Sequence, residues 1–177
     1  MASITKGSFS LNLGFVQLGG DLSDEDRQCA WELYTEIATR VAAVGKRRDK
    51  DCKDFSGELY CDSLDSLYSF FRECRGIMRR FPVGRIKDFR QEHLGVLINR
   101  ILANVIRPFL EKWNGRYRAW WAQQPKAQGS PYDLQETFPP KAEFLADWSA
   151  LRQIMRHVEM ELAQQYKLVP LDRKSVV

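Results

Sequence analysis

Apolar and polar positions alternate near the start of the chain. Phe9, Leu11, Leu13 and Phe15 are separated by small or polar residues. A period of two predicts an extended strand with one apolar face, ended by the glycine pair at positions 19 and 20. Because a lone strand or hairpin is unstable, we expect residues 1–20 to form an arm or hairpin packed on helices.

Farther along, apolar positions recur three and four residues apart, which predicts helices. Helix A is predicted to begin at a cap, Asp21 or Ser23, and to stop at Gly45. Helix B is predicted over residues 63–81, with Asp62 or Ser63 as its cap. Its expected buried stripe consists of Leu64, Leu67, Tyr68, Phe71, Cys74, Ile77 and Met78.

Helix C is predicted to begin near Asp88, with a kink at Pro108 and an interruption at Asn114-Gly115. Helix D is predicted over residues 141–166 and has the most regular pattern. Its apolar positions are spaced 4, 3, 4, 3 and 4 residues apart, which is a heptad seam. They are Phe144, Trp148, Leu151, Met155, Val158 and Leu162.

Four such helices in 177 residues predict one all-α domain, a four-helix bundle, over residues 21–168. Residues 124–141 hold four of the seven prolines and are expected to form a long loop. Residues 169–177 are predicted to form a frayed tail.

Composition sets limits on the chemistry. The chain shows neither a signal peptide nor an apolar run of roughly 18 residues, which favours a cytoplasmic protein without a membrane span. The four cysteines form no C-x-x-C pair and the two histidines lie far from them, so we expect neither a metal site nor a cofactor. Glycine-rich phosphate-binding motifs are absent as well.

Arginine is concentrated around the end of helix B, in a chain whose net charge is +4. The candidate partner-binding residues are Arg72, Arg75, Arg79, Arg80 and Arg85, followed by Lys87 and Arg90. The first three are spaced three and four apart and therefore share one helix face. Guanidinium groups suit bidentate contacts to carboxylate or phosphate, although a solvated basic face is the simpler alternative.

Aromatic residues and arginines interleave over residues 113–121. Trp113, Tyr117 and Trp120 have helical spacing, which favours packing in a core or interface over base stacking. Trp121 falls outside that spacing and is a candidate anchor on a partner surface.

The phrase Arg152-Gln-Ile-Met-Arg-His157 resembles the R-x4-6-H motif of HEPN ribonucleases, which are also small helical proteins. The resemblance implies that Arg152 and His157 act on a scissile phosphate, usually in a site shared by two protomers. The two residues lie about 140° apart around one helix, with Arg152 on the flank of the seam and His157 nearly opposite it. A solvated His157 with no catalytic role is the alternative.

Three longer phrases, LGGDLSDEDRQCAWELYTEIATRV, SLDSLYSFFRECRGIMRRF and LINRILANVIRPFLEKWNGRYRAW, resemble a group of small bacterial helical proteins of anti-phage defence islands. The chain departs from that pattern at Asn114-Gly115, where a His-Pro is expected. The resemblance implies an accessory role and supplies no catalytic residues.

These observations predict a non-enzymatic interaction subunit of a larger bacterial assembly, in anti-phage defence, that binds an acidic protein partner through the arginine-rich face. A nucleic-acid-binding or RNA-cleaving helical protein is the alternative.

Overall fold

Helices make up most of the protein, which confirms the predicted helical class. The structure is a computed structural model that describes residues 2–7, 9–13, 24–80, 94–125 and 129–169. A π-helical turn, Leu102–Ile106, joins α4 to α5. The helices are α1 (Asp24–Ala38), α2 (Val41–Val44), α3 (Tyr60–Arg80), α4 (Leu94–Ile101), α5 (Arg107–Ala122), α6 (Pro131–Gln135) and α7 (Lys141–Gln165).

The N-terminal segment is an antiparallel hairpin of β1 (Ala2–Lys6) and β2 (Phe9–Leu13), in which Ala2 pairs with Leu13 and Lys6 with Phe9. A hairpin is one of the two forms predicted for residues 1–20. The alternation at residues 9–13 marks its second strand, and no pattern indicated the position of the first. Both strands contact α7, and β2 also contacts α4 and the π turn. Phe9 is buried with its ring centroid 6.4 Å from that of Phe109.

The long helices enclose one core. α1 packs against α3 and α7, and α5 packs against α3 and α7 on the other side. All six residues of the predicted seam on α7 are buried, which confirms that helix and its inward face. No helix of the described residues is long and apolar enough to cross a membrane.

α3 begins at Tyr60, earlier than predicted, and the expected caps Asp62 and Ser63 lie inside it. Its first turn is capped from elsewhere in the chain. The backbone N–H of Tyr60 donates to Oε1 of Gln135 (3.0 Å), while Nε2 of Gln135 donates to the carbonyl of Glu58 (2.8 Å). A distant side chain thus satisfies two main-chain groups that a local cap leaves open.

Helix A is also shorter than predicted. α1 ends at Ala38, the backbone of Arg40 is extended, and α2 then forms one turn that stops at Gly45, as expected. Gly45 has φ +66°, and a Cβ there would lie 3.2 Å from Cδ of Arg152. Only glycine suits both this backbone and this close approach.

The two irregularities predicted for helix C have different outcomes. Near Pro108 the helix has a π-helical turn, in which the backbone N–H of Arg107 donates to the carbonyl of Leu102. Such a turn is one of the ways in which a helix accommodates a residue without an N–H. The interruption predicted at Asn114-Gly115 is wrong, because α5 continues through both residues between the buried Trp113 and Tyr117.

The predicted loop over residues 124–141 contains α6, which begins at Pro131 after an N-cap at Ser130, whose side chain accepts from the N–H of Tyr132 (3.2 Å). Several other predictions fall outside the described residues. They concern the caps Asp21 and Ser23, the end of helix B at residue 81, the start of helix C near Asp88, and the tail from residue 170 onward.

Candidate functional site: an arginine face on α3

The outward face of α3 carries the arginine cluster that sequence analysis predicted as a partner-binding surface. Arg72, Arg75 and Arg79 are all exposed, and the side chain of Arg72 is 77% accessible. Arg75 and Arg79 form no ion pair with any residue that the structure describes, and Arg72 reaches only its neighbour Glu73, at 3.3 Å. These three arginines are called the arginine face below, and Arg85 lies outside the described residues.

The inward face of α3 fixes this orientation. Leu64, Leu67, Phe70, Cys74 and Ile77 are buried at spacings of three and four. Since 3.6 residues make one turn, the burial of this stripe places Arg72, Arg75 and Arg79 toward solvent.

Tyr68 corrects the predicted apolar stripe of helix B. It was assigned to the buried side, but it is 63% exposed, and Phe70 is buried instead. At about 100° per residue, Tyr68 and the arginine face lie within about 60° of arc. An exposed aromatic ring therefore stands one turn before the first arginine of the face.

Arg80 belongs to a different environment. Its guanidinium donates to the carboxylate of Glu32 on α1, which raises the pKa of Arg80. Burial opposes ionisation of Glu32, yet hydrogen bonds from Arg80 and Gln28 hold the pKa of that carboxyl below its usual value. Arg80 thus helps hold α3 against α1, and its charge is already engaged.

α5 runs antiparallel to α3 beside this face and adds to its charge. Arg107 lies over the ring of Phe71, with 5.7 Å from Cζ to the centroid. At the other end, Arg118 donates to Asp65. The carboxylates of α3 are Asp62, Asp65 and Glu73, so positive charge dominates its C-terminal half.

Trp121 is only partly buried and packs against the core. Its ring is stacked on that of Tyr117, with centroids 5.9 Å apart and planes 24° apart. Trp120 lies beside it at 6.0 Å. Packing within α5 therefore accounts for much of the Trp121 surface.

Arg152 and His157 lie in very different environments. Arg152 was placed on the flank of the seam, yet its side chain is fully buried. Its NH2 donates to Oε2 of Glu58 (2.6 Å), and its Cζ lies 4.1 Å from the ring centroid of Phe55. His157 is about one-third exposed, with Nε2 3.5 Å from Glu161. The two groups are therefore not brought together within this chain.

Side chains of α7 hold α2 and the loop that follows it mainly through backbone carbonyls. Trp148 donates to the carbonyl of Ala42 (2.8 Å) and Ser149 to that of Asp51 (2.9 Å), while Arg156 donates to three further carbonyls. Arg47 adds a two-bond ion pair with Glu159 at 2.6 and 2.7 Å. Sequence analysis did not predict this arrangement, because helical periodicity does not show which polar positions are buried.

Neither a metal nor an activated thiol is indicated in the part of the chain that the structure describes. No three His, Cys, Asp or Glu residues come together there to hold a metal ion. All four cysteines are free, and burial raises the pKa of each thiol. A raised pKa favours the neutral thiol over the nucleophilic thiolate.

Comparison with models of protein families, with curated proteins and with solved structures found no match to this chain.

Proposed function

We propose that this chain is a non-enzymatic interaction subunit of a larger bacterial assembly, of the anti-phage defence kind that the resemblance implies. Its partner is an acidic protein surface, and the contact is the arginine face of α3. In this proposal the four long helices act as a four-helix bundle that presents the face on a rigid element.

The charge state of the face supports the proposal. Arg75 and Arg79 make no ion pair with a described residue, whereas Arg80 and Arg118 are engaged by carboxylates of the chain itself. Arginine retains its charge and forms paired hydrogen bonds with carboxylates, which suits it to protein interfaces. The exposed ring of Tyr68 supplies the kind of aromatic anchor that often dominates binding energy.

A charge-reversal variant tests the proposal. Arg72→Glu, Arg75→Glu and Arg79→Glu together should abolish capture of the partner in a pull-down read by mass spectrometry. The matched control reverses Arg48, Lys50 and Lys53, three exposed cations of the α2–α3 loop that make no ion pair with a described residue. Both variants change the net charge equally, so capture that survives in the α3 variant would exclude the arginine face.

Nucleic-acid binding is the second candidate, supported by the same unneutralised arginines next to an exposed aromatic ring. With about three to five phosphate contacts, affinity should fall roughly 40- to 500-fold between 50 and 200 mM salt. An absence of oligonucleotide binding at 50 mM salt in a gel-shift assay would exclude it. The burial of Arg152 gives no support to an RNA-cleaving role for that residue.

A further inference from the structure

The exposed face of α3 repeats the spacing of a helix-packing seam. Tyr68, Arg72, Arg75 and Arg79 are 4, 3 and 4 residues apart, the same spacing as the buried seam of α7. We infer that the segment docking on this face is an acidic amphipathic α-helix of the partner, with one apolar residue opposite Tyr68. This inference rests on the proposed function and specifies the partner's structure.

Charge complementarity identifies the occupant as acidic. Three arginines lie along about 10 Å of helix axis, and the acid among them, Glu73, forms an ion pair with Arg72 and with no other described residue. Arg107 of α5 adds a further positive charge next to Phe71 on the flank. A partner that brought cations or only apolar groups here would leave these charges unmatched.

The spacing of the charges favours a helix over an extended segment. Successive arginines of the face are separated by about 4.5 and 6 Å along the axis of α3. Carboxylates at positions i, i+4 and i+7 of a second helix have the same separations. Same-face residues of an extended strand lie about 6.6–6.8 Å apart, so a strand falls out of register by about 3 Å over three residues.

Tyr68 determines the order of residues in the partner helix. Its ring lies at the N-terminal end of the seam, and the next residue of that face, Asp65, is engaged by Arg118. An antiparallel partner would therefore carry acids at i, i+4 and i+7 and an apolar residue at i+11. A parallel partner would carry the apolar residue first.

Three synthetic peptides test the inference against the full chain by fluorescence anisotropy at low salt. The first is an alanine-based helix with Glu at i, i+4 and i+7 and Leu at i+11. The second has the same composition with the three Glu spread around the helix. The third carries a central proline that breaks the helix.

The first peptide should bind at least about tenfold more tightly than the other two. Arg72→Glu, Arg75→Glu and Arg79→Glu together should weaken it at least about tenfold, because each exposed pair contributes modestly and reversal adds repulsion. Tyr68→Ala should also weaken binding, without changing its salt dependence. Reversal of Arg48, Lys50 and Lys53 should change it by less than about threefold, as expected for a long-range effect of net charge.

The possible failures point to different errors. If all three peptides bind equally well and the α3 variant binds none of them, the partner is acidic but the inference that it is helical is wrong. If no acidic peptide binds while a single-stranded RNA of 20 nucleotides does, the acidic partner is wrong as well. Binding of neither probe would overturn both proposals.

Discussion

Arg152 of α7 and Glu58 of the α2–α3 loop form an ion pair of 2.6 Å in which the arginine side chain is fully buried. The guanidinium lies over the rings of Phe55 and Trp148, which contact each other, with Cζ 4.1 and 5.3 Å from their centroids. Burial lowers the pKa of Arg152, while Glu58 acts in the opposite direction. This pair joins the last long helix to the segment that leads into α3.

Replacing Arg152 should therefore destabilise the protein strongly. Arg152→Met leaves the largely buried carboxylate of Glu58 without its cationic partner, and among the described residues only the hydrogen bond from Ser63 remains to it. We expect a loss of about 3–5 kcal/mol in the free energy of unfolding. Urea denaturation followed by circular dichroism measures it. His157→Ala, on the exposed side of the same helix, should change stability by less than about 0.5 kcal/mol. A silent Arg152→Met would show that the pair does not hold the loop.

Two positions of α7 that are two residues apart should differ strongly in how far the same substitution destabilises the protein. Val158 is fully buried, whereas Met160 is 60% exposed. Val158→Asp forces a carboxylate into the core and should leave the protein unfolded by circular dichroism at 25 °C. Met160→Asp should remain within about 0.5 kcal/mol of the wild type. Similar effects of the two substitutions would contradict the placement of α7.

Gln135 should contribute to stability out of proportion to its size. Gln135→Ala removes both hydrogen bonds to the segment at Glu58 and Tyr60, and we expect a loss of about 1–3 kcal/mol. Gln135→Glu keeps an acceptor for the N–H of Tyr60 but places a buried carboxylate oxygen against the carbonyl of Glu58, and at neutral pH it should lose at least as much stability as Gln135→Ala. Gln164→Ala, at an exposed position of α7, is the control and should be nearly neutral. Equal stability of all three variants would exclude the cap.

Asp49 should make the stability of the protein depend on acid pH. Its carboxylate accepts hydrogen bonds from the backbone N–H groups of Asp54 (2.6 Å) and Asp51 (3.1 Å), and these hold its pKa below the usual value. The stabilisation is complete above the unfolded pKa of about 3.9 and is lost as pH falls through the lower folded pKa.

The thermal midpoint of the wild type should therefore fall between pH 5 and pH 2.5 by more than that of Asp49→Ala. Asp51→Ala removes a neighbouring exposed carboxylate and should keep the wild-type pH dependence. Parallel curves for wild type and Asp49→Ala would show that the hydrogen bonds of Asp49 do not contribute.

Sequence periodicity was sufficient for the helices that bury a continuous apolar stripe. The heptad spacing of α7 located both its boundaries and its inward face, because six apolar residues on one side of a helix have no stable place except a core. The same reasoning identified Arg72, Arg75 and Arg79 as one surface of α3. Residues of one kind that recur every three and four positions are therefore sufficient to predict which side of a helix they share.

Short-range signals were less reliable where distant parts of the chain meet. Asn114-Gly115 was predicted to interrupt helix C. The burial of Trp113 and Tyr117 outweighs the roughly 1 kcal/mol cost of a glycine inside a helix. Tyr68 was predicted to be a core residue, because an aromatic side chain next to Leu67 fits a broad apolar stripe on helix B. Only the position of α5 against α3 shows which side of that stripe remains exposed.

The amino-acid sequence by itself determined the helical class, the inward face of α7 and the arginine cluster, because these depend on spacing along one helix. Tertiary structure decided the start of α3, which Gln135 caps from 75 residues away, and the burial of Arg152 against Glu58. Both are contacts between polar groups far apart in the chain. Such hydrogen bonds are stronger in surroundings of low dielectric constant, and those surroundings exist only once the helices have packed.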